Sequence, residues 1–182
     1  MKNKILIYRI IQIILLISYI GLLVFYTIKS LETGLQSSAS SDKISDITAD
    51  IIENVTQKPV EKTESFKISV RKYIGHYSYF VALGFISSLL YFSIKELKLK
   101  YRYIIHFSTG LIYALMTEFW FQAVSSGRGP NINDVGLDYL GFSTLSFILS
   151  IILFIYYYKR NIKFKYNNLN YRYRWYLYFF CN

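Results

Sequence analysis

Cysteine is almost missing from this 182-residue chain: Cys181 stands alone beside the C-terminus. A single thiol excludes an internal disulfide, a cysteine zinc tetrad and a paired-thiol redox centre. Charge is scarce as well, at 18% of residues against 53% hydrophobic, with a mean hydropathy of +0.28. A soluble domain of this size needs a largely polar shell, so this balance excludes both an ordinary soluble globule and a disordered chain. Familiar catalytic signatures are absent too. There is no Gly-rich phosphate loop, no H-E-x-x-H pair, no serine nucleophile elbow and no metal-ligand spacing along the chain. No cofactor is expected from such a sequence, and no internal repeat is visible.

What is present is a set of long apolar runs. Four stretches, 10–28, 77–94, 103–124 and 135–158, are long enough to cross a hydrocarbon core of about 30 Å as helices rising about 1.5 Å per residue. The expected fold is therefore an all-α membrane protein, a bundle of four transmembrane helices with one polar extracytoplasmic loop at 29–76. The first run exceeds the apolar core of roughly 7–15 residues of a cleaved signal peptide, and no A-x-A site follows it; it reads as an uncleaved helix.

Only 11 acidic residues oppose 21 Lys and Arg, leaving a net charge of +10. Placing the bases relative to the spans removes a nucleic-acid reading. With 1–9, 95–102 and 159–182 on one side, that side carries a net +12, the other side sums to zero, and Glu118 and Asp138 within the spans contribute −2. The bias follows the positive-inside rule and predicts cytoplasmic N- and C-termini in a bacterial cytoplasmic membrane, with anionic lipid as a partner.

Within 29–76, Ile44, Ile47, Ile51 and Val55 recur at helical spacing behind Ser41 or Asp42 as a cap, which reads as a short surface helix in a polar loop or as a plain connector. Near the C-terminus, Tyr171 to Phe180 alternates aromatics with Arg172 and Arg174, a composition suited to lipid headgroups, beside a Cys181 that is either acylated or inert.

The ionisable residues inside the spans carry the chemical interest, because each costs at least ~2.5 kcal/mol to insert unless it is partnered. Glu118 and Gln122 lie one turn apart on the third helix, above Gly110 and Ala114, which would admit another backbone. The loop 125–134 is punctuated by Gly127, Gly129 and Pro130; Asp134 is expected to cap the fourth helix, with Asp138 on the same face. Arg128 is the natural counter-ion. The second helix brings Arg71, Lys72 and His76 to the same membrane face. Such a group is either an ion-pair lock on helix ends or a pocket for an anionic or zwitterionic amphiphile, with Asn133 and Gln122 as amide donors. His106, at the other end of its span, is expected to be structural and too far from His76 to share a metal.

The run Gln122, Arg128, Asp134, position 138 and Gly141, at steps of six, six, four and three residues and preceded by Arg71-Lys72 and His76, resembles the VanZ-like family of small bacterial membrane proteins. The segment Ser30-Leu31-Glu32-Thr33-Gly34 and the serines after it are similar to that family's Ser-rich stretch. The chain departs from the pattern at Asp138, where Asn is usual, at Phe119, where an acid is usual, and at Phe121, which is sometimes His. The resemblance implies a four-helix integral membrane protein associated with tolerance to glycopeptides, teicoplanin in particular, or with cell-envelope homeostasis. A lipid-linked wall precursor or the glycopeptide itself would be the ligand. The alternatives are a membrane hydrolase or transferase on a lipid-linked substrate, with Asp134 or His76 as base, and a structural partner subunit.

Overall fold

The computed structural model describes residues 2–94, 96–127 and 129–167, and among these every regular element is helical. The chain forms α1 (Lys2–Ser30), α2 (Gly34–Thr56), α3 (Glu64–Ser93), α4 (Leu99–Gln122) and α5 (Ile132–Asn167). The segments Ile5–Ser30, Glu64–Ser93, Leu99–Gln122 and Ile132–Ile152 are long and apolar enough to cross a membrane, the make-up of a multi-pass membrane protein. Arg128, the aromatic run 171–180 and Cys181 lie outside the described residues.

The segment 29–76 differs from the expected polar loop. Thr33 and Gln36 form a reciprocal capping box that starts α2 well ahead of Ser41, and Gln57, in a left-handed conformation at φ 56°, ends it. The Thr63 hydroxyl then accepts from the Phe66 N–H and starts α3 at Glu64, so the second apolar helix begins well before position 77. Hydropathy alone hides both helices, because their first turns are polar and their caps are local chemistry. Ser45 and Ala49 are the buried residues of α2. Lys62 reaches Asp46 at 2.8 Å and Lys67 reaches Asp42 at 2.9 Å, tying α2 to the start of α3. Ile47, Ile51 and Val55 face outward and are exposed.

Tyr26, Phe80, Leu83, Ala114, Val135 and Phe142 form the buried core between α1, α3, α4 and α5. Tyr26 stacks on Tyr79 at 4.0 Å and meets Phe80 edge-on at 5.2 Å. Two glycines set the approach of α3 to α5. A Cβ at Gly84 would lie 2.0 Å from the Phe142 carbonyl oxygen, and one at Gly141 would lie 2.5 Å from that of Tyr77. Gly110 admits the Phe142 ring rather than another backbone, since a Cβ there would be 2.3 Å from a ring carbon.

Deeper in the bundle His106 is fully buried. Its Nδ1 pairs with Ser87 Oγ at 2.9 Å, its Nε2 with Ser146 Oγ at 2.8 Å, and Ser88 Oγ donates to Ser146 Oγ at 2.8 Å. This closed hydrogen-bonded group satisfies the imidazole internally and holds three helices together.

Candidate functional site

Two interruptions of regular α-helix face the same end of the bundle. Within α3, Arg71–Tyr77 winds as a π-helical turn, and within α4, Thr117–Gln122 does the same. Such turns insert one residue into the helical register and recur at functional sites. Here they carry Arg71, Lys72, His76, Glu118 and Gln122. The start of α5 adds Asn133, Asp134 and Asp138.

These residues form a connected polar group. Lys72 stands beside Asp134, with Nζ 3.3 Å from Oδ1; Arg128, the expected counter-ion, lies outside the described residues. His76 Nδ1 lies 3.2 Å from Asp138 Oδ1, 3.9 Å from Glu118 Oε1 and 2.9 Å from Tyr26 Oη. Gln122 Nε2 donates to Glu118 Oε1, and the Asn131 N–H donates to Glu118 Oε2 at 3.4 Å. Glu118 and Asp138 are completely buried, and His76, Gln122 and Asp134 nearly so. His76 and Glu118 sit on the two π turns and meet with Asp138, so three helices contribute one ionisable side chain each.

Over this buried group lies a cavity of about 220 Å³, whose wall includes Arg71, His76, Gln122, Asn131 and Asp134. Gly34, Ser37 and Ser38, from the first turn of α2, close its other side with Gly127 and Gly129. The Gly34 N–H donates to the Ser126 carbonyl at 2.9 Å, and a Cβ at Gly34 would sit 2.6 Å from the Gly127 oxygen. Gly127 itself has φ +77°, a conformation that favours glycine. Among the described residues Arg71 has no ion-pair partner, so its guanidinium and the start of α2 both present positive character to the cavity. A larger hollow, about 600 Å³, lies at the opposite end between α1 and α3, where Ile13, Leu16, Leu90 and Ile94 make much of its wall apolar.

The sequence marked most of this site, but two placements differ. α5 begins at Ile132, so Asp134 belongs to its first turn and does not cap it; Asn131 Oδ1 takes the capping role by accepting the Asn133 N–H at 3.0 Å. Asn133 is exposed and Asn131 lines the cavity in its place. Tyr26 was not marked because nothing along the chain distinguishes it from the other 18 tyrosines. No metal-ligand spacing exists along the chain, yet folding gathers His76, Glu118 and Asp138 so that one ligand atom of each lies within 4.8 Å of the others. No protein-family model, no curated protein and no solved structure matches this chain.

Proposed function

We propose that this chain is a VanZ-like integral membrane protein of the bacterial cytoplasmic membrane, acting in cell-envelope homeostasis or glycopeptide tolerance. In this reading the cavity between the two π turns opens on the extracytoplasmic side and takes the anionic head of a lipid-linked wall precursor or a lipid-anchored glycopeptide. The basic bias of 1–9, 95–102 and 159–182 supports that orientation, because it leaves the cavity end outside. The observation that carries the reading is Arg71 on the wall of a polar cavity, without a carboxylate partner among the described residues and opposite the first turn of α2. A guanidinium in that position suits phosphate or carboxylate, with Asn131 and Gln122 near amide or sugar groups. Arg128, between the cavity-lining Gly127 and Gly129, is the second cation assigned to the anionic head. The exposed Ile47, Ile51 and Val55 of α2 suit a helix lying in the headgroup layer, which adds membrane lipid as a partner.

A second reading, a hydrolase or transferase on a lipid-linked substrate, draws on the His76–Asp138 contact, where a carboxylate orients an imidazole on the cavity wall. Release of labelled phosphate from a polyprenyl pyrophosphate by the purified protein would favour it. The test of the first reading is the teicoplanin susceptibility of a sensitive Gram-positive host expressing wild type, Arg71→Glu or Arg128→Ala, with membrane abundance measured in the same cells. Wild type is expected to raise tolerance and the equally abundant variants to lose it. A fully active Arg71→Glu overturns the role given to the cavity.

A further inference from the structure

Two carboxylates against one imidazole is an unusual group to enclose completely. Glu118 and Asp138 are both fully buried, and among the described residues neither pairs with a Lys or Arg; Lys72 is committed to Asp134. Charges removed from water need a compensating charge at close range, and the His76 imidazole supplies at most one. Asp138 makes the shortfall concrete. Its Oδ1 meets His76 Nδ1, but among the described residues Oδ2 is buried without a hydrogen-bond partner. Buried polar atoms are normally satisfied, so an orphaned carboxylate oxygen in this position points to a group that belongs there.

We propose that His76, Glu118 and Asp138 are the protein ligands of a divalent transition-metal site at the floor of the cavity. One nitrogen and two carboxylate oxygens form a ligand set that suits a borderline ion such as Zn²⁺, and its two negative charges match the ion's charge. The spacing agrees as well. A tetrahedral zinc with bonds of about 2.0–2.1 Å holds its ligand atoms about 3.3 Å apart. His76 Nδ1 is 3.2 Å from Asp138 Oδ1 and 3.9 Å from Glu118 Oε1, and the three ligand atoms all lie within 4.8 Å of one another, so drawing the side chains together by up to about 1.5 Å closes the set. The surroundings are those of a supported site. Gln122 Nε2 and the Asn131 N–H each donate to a Glu118 oxygen, fixing that carboxylate as outer-shell partners do. The fourth position falls to Tyr26 Oη, 2.9 Å from Nδ1, or to an oxygen arriving from the cavity, on whose wall His76 lies. Three ligands plus one open position is the arrangement that leaves an ion able to bind an anionic group. The site needs no particular lipid ligand, so it stands whether or not the function proposed above does.

The experiment is metal content of the full-length protein carrying Cys181→Ser and no histidine tag, purified in detergent, stripped with chelator, incubated with Zn²⁺ and desalted. About one zinc per chain is expected. Asp138→Asn, Glu118→Gln and His76→Gln, each monodisperse by gel filtration, should bind at least 10–100-fold more weakly, the loss that even an outer-shell partner causes. Where a variant does not fold, Co²⁺ added to the wild type supplies the second readout, since coordination at this site gives the strong visible bands of a four-coordinate ion. Less than one zinc in ten chains without such bands, or three folded variants that bind zinc as wild type does, overturns the proposal.

Discussion

Replacing Gly84 by alanine tests the packing that sets the two π turns against α5. The new Cβ would stand 2.0 Å from the Phe142 carbonyl oxygen, 2.7 Å from its carbonyl carbon and 2.8 Å from its Cα, all backbone atoms that cannot swing aside. Relief requires α3 and α5 to separate by more than an ångström. That separation would disturb the Phe142 ring, stacked 4.8 Å from His106 and lodged against Gly110, and the His106–Ser146 hydrogen bond of 2.8 Å. Overpacking of a filled interior costs about 1–3 kcal/mol, and immovable backbone puts this case at about 3 kcal/mol. Alanine's better helix propensity offsets about 0.5–1 kcal/mol, leaving a net loss of about 2 kcal/mol. Gly21 and Gly136, where an added methyl would meet nothing within 4 Å, serve as controls and should shift stability by no more than about 1 kcal/mol. Loss of helical circular dichroism on titrating mixed micelles with SDS measures all three variants on one scale. A Gly84→Ala protein as stable as Gly21→Ala would refute the close approach of α3 and α5.

Two further outcomes follow from the same geometry. The hydrogen bond from Lys62 holds the Asp46 carboxyl below its ordinary range, and Asp46 in turn holds the Lys62 ammonium above its own. Support from Asp46 is therefore lost as pH falls through its lowered value, and support from Lys62 as pH rises through its raised one. Amide protection of α2, corrected for intrinsic exchange, should stay flat from about pH 5 to pH 9 given ordinary values of about 3.9 and 10.4; a step near neutrality would contradict the pairing. In a Cys181→Ser background, Ser37→Cys should react with an impermeant maleimide on whole cells, whereas Glu96→Cys should react only after permeabilisation. The reverse pattern would place the cavity on the cytoplasmic side.

The apolar helices were legible because a hydrocarbon core demands long uncharged runs, and hydropathy reads those directly. Their starts were not, since Thr63 and Asn131 act through single hydrogen bonds, and α2 was hidden likewise because its start rests on the reciprocal Thr33–Gln36 pair; such local bonds leave no trace in average composition. Gly141 and Gly84 show the same limit: both are visible as glycines, but only the fold reveals that they face the Tyr77 and Phe142 carbonyls. At the site, residue types were readable because an ionisable group within a span is costly enough to stand out. Their pairing was not. Helical counting assumes 3.6 residues per turn, and the π turns at Arg71–Tyr77 and Thr117–Gln122, which carry His76 and Glu118, break that count.

The central claim is that the cavity between the π turns holds an anionic lipid head, and binding measures it most directly. Purified full-length protein in nanodiscs of zwitterionic lipid would be titrated with a labelled polyprenyl pyrophosphate, wild type beside Arg71→Glu, both checked for monodispersity. Saturable binding by wild type, weakened at least tenfold in the variant, is the predicted result. Equal binding by the two proteins, or no saturable binding by wild type, would contradict it.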